Sequence, residues 1–369
     1  MQDFATKHGK AFAQRLLQKF ISTSCAEEVT NQDYEGELIA VGDTVNISSI
    51  DTADWQVFDG SDFSWDTPEE YPCKMVADQA YAVHFKIGSW ERLKFWIKNP
   101  EGTLLERNAQ KLKVKIDKDV FSLYTDVAAG NWIGVDHTAG TVAIAATTGA
   151  VTGTGTNFTA DMVGKPFKAT GHSKWYRIKS YTSATSIVIE DDLDDVASAY
   201  TGGAISAGAT YTIQAAGALA MTKDNIFSAL IKIKTIFDQN DVPETNRNVV
   251  LPPAVGNLLI NSTELDKGSI PSDEFTKLKL KGMLGEYVDM RIFTSNNLTK
   301  DTSGETYALG IQKDWMTFGI TLSKSNIVKL EKNSGYVYKG SVIWGCKVAD
   351  VRRKAGVVLY CKKIGRAHV

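Results

Sequence analysis

The chain has 369 residues, 43% hydrophobic and 23% charged, which is an ordinary globular composition with enough length for two or more cores. A net charge of −2 excludes a polycation built to grip nucleic acid, so any contact with DNA is local or weak. Cys25, Cys73, Cys346 and Cys361 form no C-x-x-C pair, which excludes metal-ligand spacing and reads as reduced thiols made in a cytosol.

No apolar run approaches the roughly 18 residues that a membrane span needs. Lys7, Lys10 and Arg15 break up any signal-peptide core. The expectation is a protein made and used in soluble form, with no membrane partner.

In chain order, Phe12, Leu16 and Phe20 fall on one helical face within residues 3–20. The rest of that segment is polar, so the helix needs a docking surface. Residues 36–87 read as an extended β-hairpin. Leu38, Val41, Val45 and Ile47 form its first strand, and Tyr81-Ala-Val-His-Phe-Lys-Ile87 alternates with period two as the second. The long tip between them carries Trp55, Phe58, Phe63 and Trp65, and such an arm buries too little to stand alone. From Glu35 to Tyr71 there is no Lys or Arg. The acids there are Glu35, Glu37, Asp43, Asp51, Asp54, Asp59, Asp62, Asp66, Glu69 and Glu70.

Residues 99–130 predict a long helix, with Asn99 as cap, Pro100 in the first turn and Gly130 at the end. Leu105, Ala109, Leu112, Ile116, Val120, Leu123 and Val127 make its apolar stripe. The opposite face carries Arg107, Lys111, Lys115 and Lys118, a basic ridge that suits an anionic partner or a solvated face. Residues 138–215 turn rich in Thr, Ala, Gly and Ser, with short β-branched runs, and predict an inserted β-sandwich or barrel-like domain. A second helix is expected over 222–240, capped by Thr222, with Ile226, Leu230, Ile233 and Phe237 on one face. The strand Asn248–Leu251, a short helix ending at Leu258-Leu-Ile260 and a β-rich C-terminal part follow, an order that fits an α+β domain. The run Lys363–Val369 reads like the in-frame translation of a sequencing adapter, so Arg366 and His368 carry no weight.

Catalytic and metal motifs are missing from this pattern. His8, His84, His137, His172 and His368 are scattered, and no H-E-x-x-H occurs. His84 sits in a strand and reads as a packed side chain. The Gly153/Gly155 pair lacks the strand-to-helix setting of a phosphate loop, and there is no G-x-S-x-G elbow. Asp191, Asp192, Asp194 and Asp195 read as a solvated turn, with Ca²⁺ as a minor alternative that lacks EF-hand spacing. The expectation is no catalytic residue, no metal and no cofactor, hence no enzyme.

The order of several stretches resembles the major capsid proteins of tailed bacteriophages, with the Hong Kong 97-type fold shared by encapsulins. They are Asp33-Tyr-Glu-Gly-Glu37 with Gly42-Asp-Thr-Val45, Asp78–Phe85, the helix at 100–129, Asn240–Arg247 with Val249-Val-Leu-Pro-Pro253, Gly282-Met-Leu-Gly285, Thr294–Leu298 and Gly340–Gly345. The resemblance implies an N-terminal arm over 1–35, an extended loop over 36–87 and a peripheral domain over 88–137 holding the spine helix. It further implies an axial α+β domain over 216–362, and the insert at 138–215 departs from the basic pattern.

It also implies a virion shell protein, assembled in the bacterial host cytoplasm, whose copies form hexamers and pentamers around double-stranded DNA without sequence-specific binding. Portal, scaffold and decoration proteins are the implied further partners. The family's extended loop lies across a neighbouring subunit. That places Asp51, Asp54, Asp59, Asp62 and Asp66, with Trp55, Phe58, Phe63 and Trp65, against a neighbour's Arg107, Lys111, Lys115 and Lys118. Some family members cross-link a loop lysine, and the stretch Glu35–Tyr71 has none to donate. Alternative readings are an encapsulin-type compartment and a surface binding protein carrying the β-domain.

Overall fold

The computed structural model describes residues 25–33, 41–50, 70–88, 100–192, 199–260, 283–329 and 335–363. The segments expected at 3–20 and 51–69 lie outside these. The elements, in chain order, are one helical turn at Ala26–Val29, then β1 (Thr44–Ile50), β2 (Glu70–Val76), β3 (Gln79–Gly88) and α1 (Pro100–Ser122). Next come β4 (Trp132–Ile133), β5 (Val135–His137), β6 (Thr141–Ile144), β7 (Ala150–Thr154), β8 (Pro166–Ala169), β9 (Tyr176–Ser183), β10 (Ser186–Asp191), β11 (Ile205–Ala209) and β12 (Tyr211–Gly217). The chain continues with α2 (Ile226–Gln239), β13 (Arg247–Leu251), α3 (Pro253–Ile260), β14 (Met283–Tyr287) and β15 (Met290–Thr294). It closes with β16 (Thr306–Gln312), β17 (Met316–Lys329), β18 (Gly335–Val348) and β19 (Gly356–Cys361). Two compact units result, one of residues 1–115 with 316–351, the other of 116–315 with 352–369. The fold class is α+β.

In the first unit, β17, β18 and β3 form an antiparallel sheet, with Tyr338 opposite Phe85 and Val342 opposite Tyr81. Rings stack across the strands on one face, Tyr81 on Trp344 at 5.1 Å and Phe85 on Tyr338 at 4.9 Å. A separate pair joins β1 to β2, Thr44 opposite Val76 through Ile50 opposite Glu70. The period-two run at 81–87 therefore pairs with β18, and the partner of β1 is the Pro72-containing strand. Proline donates no ladder hydrogen bond, but a two-stranded ribbon has only edge strands and tolerates it. Val45, Ile47, Met75 and Ala77 pack on Ile343 of β18 and give the ribbon its apolar support. Gly345 is required there, because a Cβ would meet the Val76 carbonyl oxygen at 2.5 Å.

In the second unit, six strands run β14-β15-β13-β16-β19-β4, with β13 parallel to β15 and antiparallel to β16. β13, β16 and β19 are buried at every position, which explains the apolar runs Val249–Leu251, Tyr307–Ile311 and Val357–Cys361. Helix α2 lays Ile226, Leu230, Ile233 and Phe237 onto Val249, Leu251, Ile292 and Leu359. Each such side chain contributes about 1.5–3 kcal/mol on burial. The helix begins at Ile226 rather than at Thr222, because Asn225 ties down the preceding turn: its Oδ1 accepts from Thr222 N at 2.8 Å and its Nδ2 donates to Ala220 O at 2.8 Å.

Residues 135–217 build an eight-stranded antiparallel sheet, ordered β11-β6-β7-β10-β9-β8-β12-β5. Its core holds Val151, Phe158, Phe167, Ile178, Ile187, Ile189, Tyr211 and Ile213. The chain enters and leaves it on a single strand. Trp132 and Ile133 pair parallel with Val358 and Leu359 of β19, and Leu219 bridges to Cys361 of the same strand. At the neck, a Cβ on Gly134 would lie 2.7 Å from Ala215 Cα, so only glycine fits.

Candidate assembly surface

Helix α1 presents two chemically distinct faces. Ala109, Leu112, Ile116 and Val120 are buried, joined by Phe121 and by Asp117, whose Oδ2 accepts from Asn297 Nδ2 at 2.9 Å. Of the expected stripe, Leu123 and Val127 lie beyond the α-helix, which passes into a 3₁₀ turn at Leu123–Asp126. Two arginines satisfy the carbonyls released there: Arg353 Nε donates to Asp126 O at 2.9 Å and Arg177 Nη2 to Val127 O at 2.6 Å. These long-range donors end the helix before Gly130, and local sequence carries no sign of them.

On the outer face, Arg107, Lys111 and Lys118 are exposed and Lys115 is half-buried. Lys115 Nζ lies 5.6 Å from the centre of the Tyr81 ring, a cation–π contact that fixes this cation on β3. Tyr81 remains 43% exposed, and Val114, beside Lys115, is 37% exposed. The surface around Lys115 therefore combines positive charge with accessible apolar area, the composition of an interface core with a charged rim. Asp51, Asp54, Asp59, Asp62, Asp66, Trp55, Phe58, Phe63 and Trp65 lie outside the described residues. Of the expected contact residues, the described ones are therefore the four cations of α1.

Two further clusters are not legible in the sequence. Asp192 sits between Arg177 and Arg353. Its Oδ1 receives Arg177 Nε and, at 2.8 Å, Arg353 Nη2, while its Oδ2 accepts from Ala129 N at 2.8 Å. Burial pushes this carboxyl up, but the two guanidiniums and the Ala129 N–H outweigh it and hold it below the usual carboxylate range. Asp191, 4% exposed, accepts from Lys174 Nζ at 2.9 Å and from Thr201 Oγ1 at 2.7 Å. The expectation of a solvated acidic turn is corrected for both residues, because Lys174, Arg177 and Arg353 reach them from elsewhere in the fold. Lys165 is also buried. It donates to Ala216 O at 3.0 Å and stands 4.3 Å above Tyr360, the end of a stack running through Tyr307 to Tyr124. Burial lowers its pKa to about 8 against the pull of Asp161, Asp301 and Glu305. The Tyr360 hydroxyl is held by Asp301 and by Glu305 Oε2, the latter at 2.9 Å.

His84 is exposed, so its expected packing is corrected as well. Pairing β3 with β18 puts His84 on the sheet face opposite Tyr81 and Phe85. Among the described residues, no group of three or more His, Cys, Asp or Glu is arranged to hold a metal ion. No helix among them is long and apolar enough to cross a membrane.

This arrangement of helix, ribbon and sheets is a phage capsid fold, as comparison with solved structures shows. The chain is similar to one in the capsid structure of the cyanophage P-SCSP1u, with 12% identity, coverage of 93% of this chain and 89% of that one, and a TM-score of 0.54. It is also similar to one in the capsid of Ralstonia phage GP4, at 12% identity, 91% and 87% coverage and a TM-score of 0.51. A chain from Mycobacterium phage Che8 matches at 14% identity, 91% and 90% coverage and a TM-score of 0.51. No family model and no curated protein matches the sequence.

Proposed function

We propose that the chain is the major capsid protein of a tailed bacteriophage, a shell subunit and not an enzyme. One observation carries this reading: about nine-tenths of the chain shares its fold with chains of phage capsids. Copies assemble into hexamers and pentamers and close an icosahedral shell around double-stranded DNA, with portal, scaffold and decoration proteins as further partners. The segment 138–215 is an inserted domain on the outer surface of that shell.

Between copies, the acidic, aromatic segment 51–69 of one subunit crosses the α1 ridge of the next. Exposed ion pairs contribute only about 0–1 kcal/mol each, so Arg107, Lys111, Lys115 and Lys118 set register more than strength. Trp55, Phe58, Phe63 and Trp65 supply the apolar affinity, and the accessible area at Tyr81 and Val114 is suited to receive it. Repetition around closed rings multiplies these small contacts.

Electron microscopy of the expressed protein tests the shell reading: closed particles are expected, and a monomer at high concentration overturns it. Lys111→Glu with Lys115→Glu is expected to cut particle yield, most at low salt. Yield that stays unchanged at every salt concentration removes the ridge from the interface.

A further inference from the structure

The sheet β17-β18-β3 has an unusual charge inventory. Its three strands contain Lys86, Lys324, Lys329, Lys339, Lys347 and His84, and no Asp or Glu. The chain as a whole carries 43 acidic residues against 41 Lys and Arg, so this uniform sign is local. On the face opposite Tyr81, β1 and β2 cover the Ile343–Gly345 end through Met75 and Val76. Toward the other end, Ala82, His84, Lys86 and Lys339 are exposed, with Val337 and Ser341 half-buried beside them.

Pairing concentrates the charge further. Lys339 lies directly opposite His84, and Lys86, opposite Val337, is its diagonal neighbour. The two lysines placed this way repel one another unless an anion lies across them, and the His84 ring between them adds a hydrogen-bonding group.

Two anionic occupants are conceivable within a shell, the acidic segment of another copy or the phosphate backbone of the enclosed duplex. The make-up of the face decides between them. The acidic segment carries Trp55, Phe58, Phe63 and Trp65, which need apolar area to dock on. The open part of this face offers alanine, serine, one valine, histidine and lysines, and no exposed aromatic among the described residues. The α1 ridge, with Tyr81 and Val114, has that apolar area. A cationic, polar, flat face suits phosphate, which takes charge and hydrogen bonds and needs no pocket. Residues two apart on a strand are about 7 Å apart, close to the spacing of successive phosphates on one DNA strand.

We infer that the open face of β3 and β18, through Lys86, Lys339 and His84, binds the phosphate backbone of double-stranded nucleic acid without reading its sequence. The inference rests on the shell reading, which supplies the duplex. Two lysines and a histidine per subunit make a weak contact, and many copies lining one duplex make a strong one.

Fluorescence anisotropy of the full-length chain with a short mixed-sequence DNA duplex tests the assignment, using a salt titration and electron microscopy of each variant in parallel. Lys86→Gln with Lys339→Gln is expected to weaken binding at least about tenfold near 50 mM salt and to make the log–log salt dependence shallower by about two. Both positions are exposed, so folding by circular dichroism and particle yield should hold. Lys223→Gln with Lys232→Gln, which removes the same charge from the α2 region, should leave affinity within about twofold. Equal losses in the two double variants would reduce the effect to net charge and overturn the site. An unchanged affinity in Lys86→Gln/Lys339→Gln overturns it too. If that variant stops particle formation while duplex affinity holds, the face seats another copy's acidic segment and the nucleic-acid assignment falls. Absence of particles from the unaltered chain would count against the shell reading alone, since the duplex contrast is read without assembly.

Discussion

The eight-stranded sheet of residues 135–217 and the ribbon β1–β2 are both antiparallel β-structure, yet they achieve stability by opposite means. The larger sheet has its own core, built around Phe158, Phe167, Ile187, Tyr211 and Ile213, and Asp192 links it to Arg353 near the start of β19. Among the described residues the ribbon buries Val45, Ile47 and Met75, joined by Ala77 just beyond β2, and their further partner is Ile343. Two strands alone are marginal in water. One region can therefore persist as a self-contained module, while the other exists only through a borrowed surface.

The sharpest way to break this comparison is Asp192→Ala. It leaves Arg177 and Arg353 buried without their shared counter-charge, and removing one partner of such a group costs about 3–5 kcal/mol. Chemical denaturation should show that loss. The depressed pKa of Asp192 adds a pH signature. Its folded value lies below its unfolded value, so its contribution is complete above about pH 4 and disappears as pH falls further. Acid unfolding of the unaltered chain should steepen there, and the variant should lack that component.

Next in size is Met75→Ala, at about 2–4 kcal/mol for a fully buried side chain. Because the ribbon has no reserve, proteolysis near residues 44–76 should accelerate while the 135–217 sheet stays resistant. Matching loss of resistance in both regions would contradict their independence.

Lys165→Met should act in the other direction. The folded pKa of about 8 lies below that of an unfolded lysine, so the unfolded chain binds more protons between about pH 8 and 10.5. The unaltered protein should gain on the order of 2–3 kcal/mol over that range relative to the methionine variant. Equal stability differences at pH 7 and pH 10 would mean that Lys165 titrates as an exposed lysine does. The smallest expected effect is Asn225→Ala, about 1 kcal/mol, from loss of the two hydrogen bonds that start α2.

Regular elements were legible where one face is apolar and local. Ile226, Leu230, Ile233 and Phe237 mark α2 by spacing alone, and the α+β class follows from the order of such runs. Strand partners were not legible, since Pro72 argues locally against a strand while Tyr81–Ile87 suits several partners equally well. Exposure of His84 depends on which face β18 leaves open, a property of pairing rather than of the strand itself. Asp192 and Lys165 look like surface charges because their counterparts, Arg353 and Tyr360, are more than 150 residues away in sequence, and local pattern cannot report so distant a contact. Of the candidate surface, the ridge on α1 follows from i, i+4 spacing, but the Tyr81 ring under Lys115 required the fold.

The neck at β19 has one more consequence. Departure at Ile133 and return at Leu219 fall opposite Leu359 and Cys361, two positions apart on one strand. Whatever chain is spliced between those points begins and ends almost at the same place, so its length and content are decoupled from the framework beneath. By this geometry, a chain of different length between those points would leave the register of the strands beneath it unchanged.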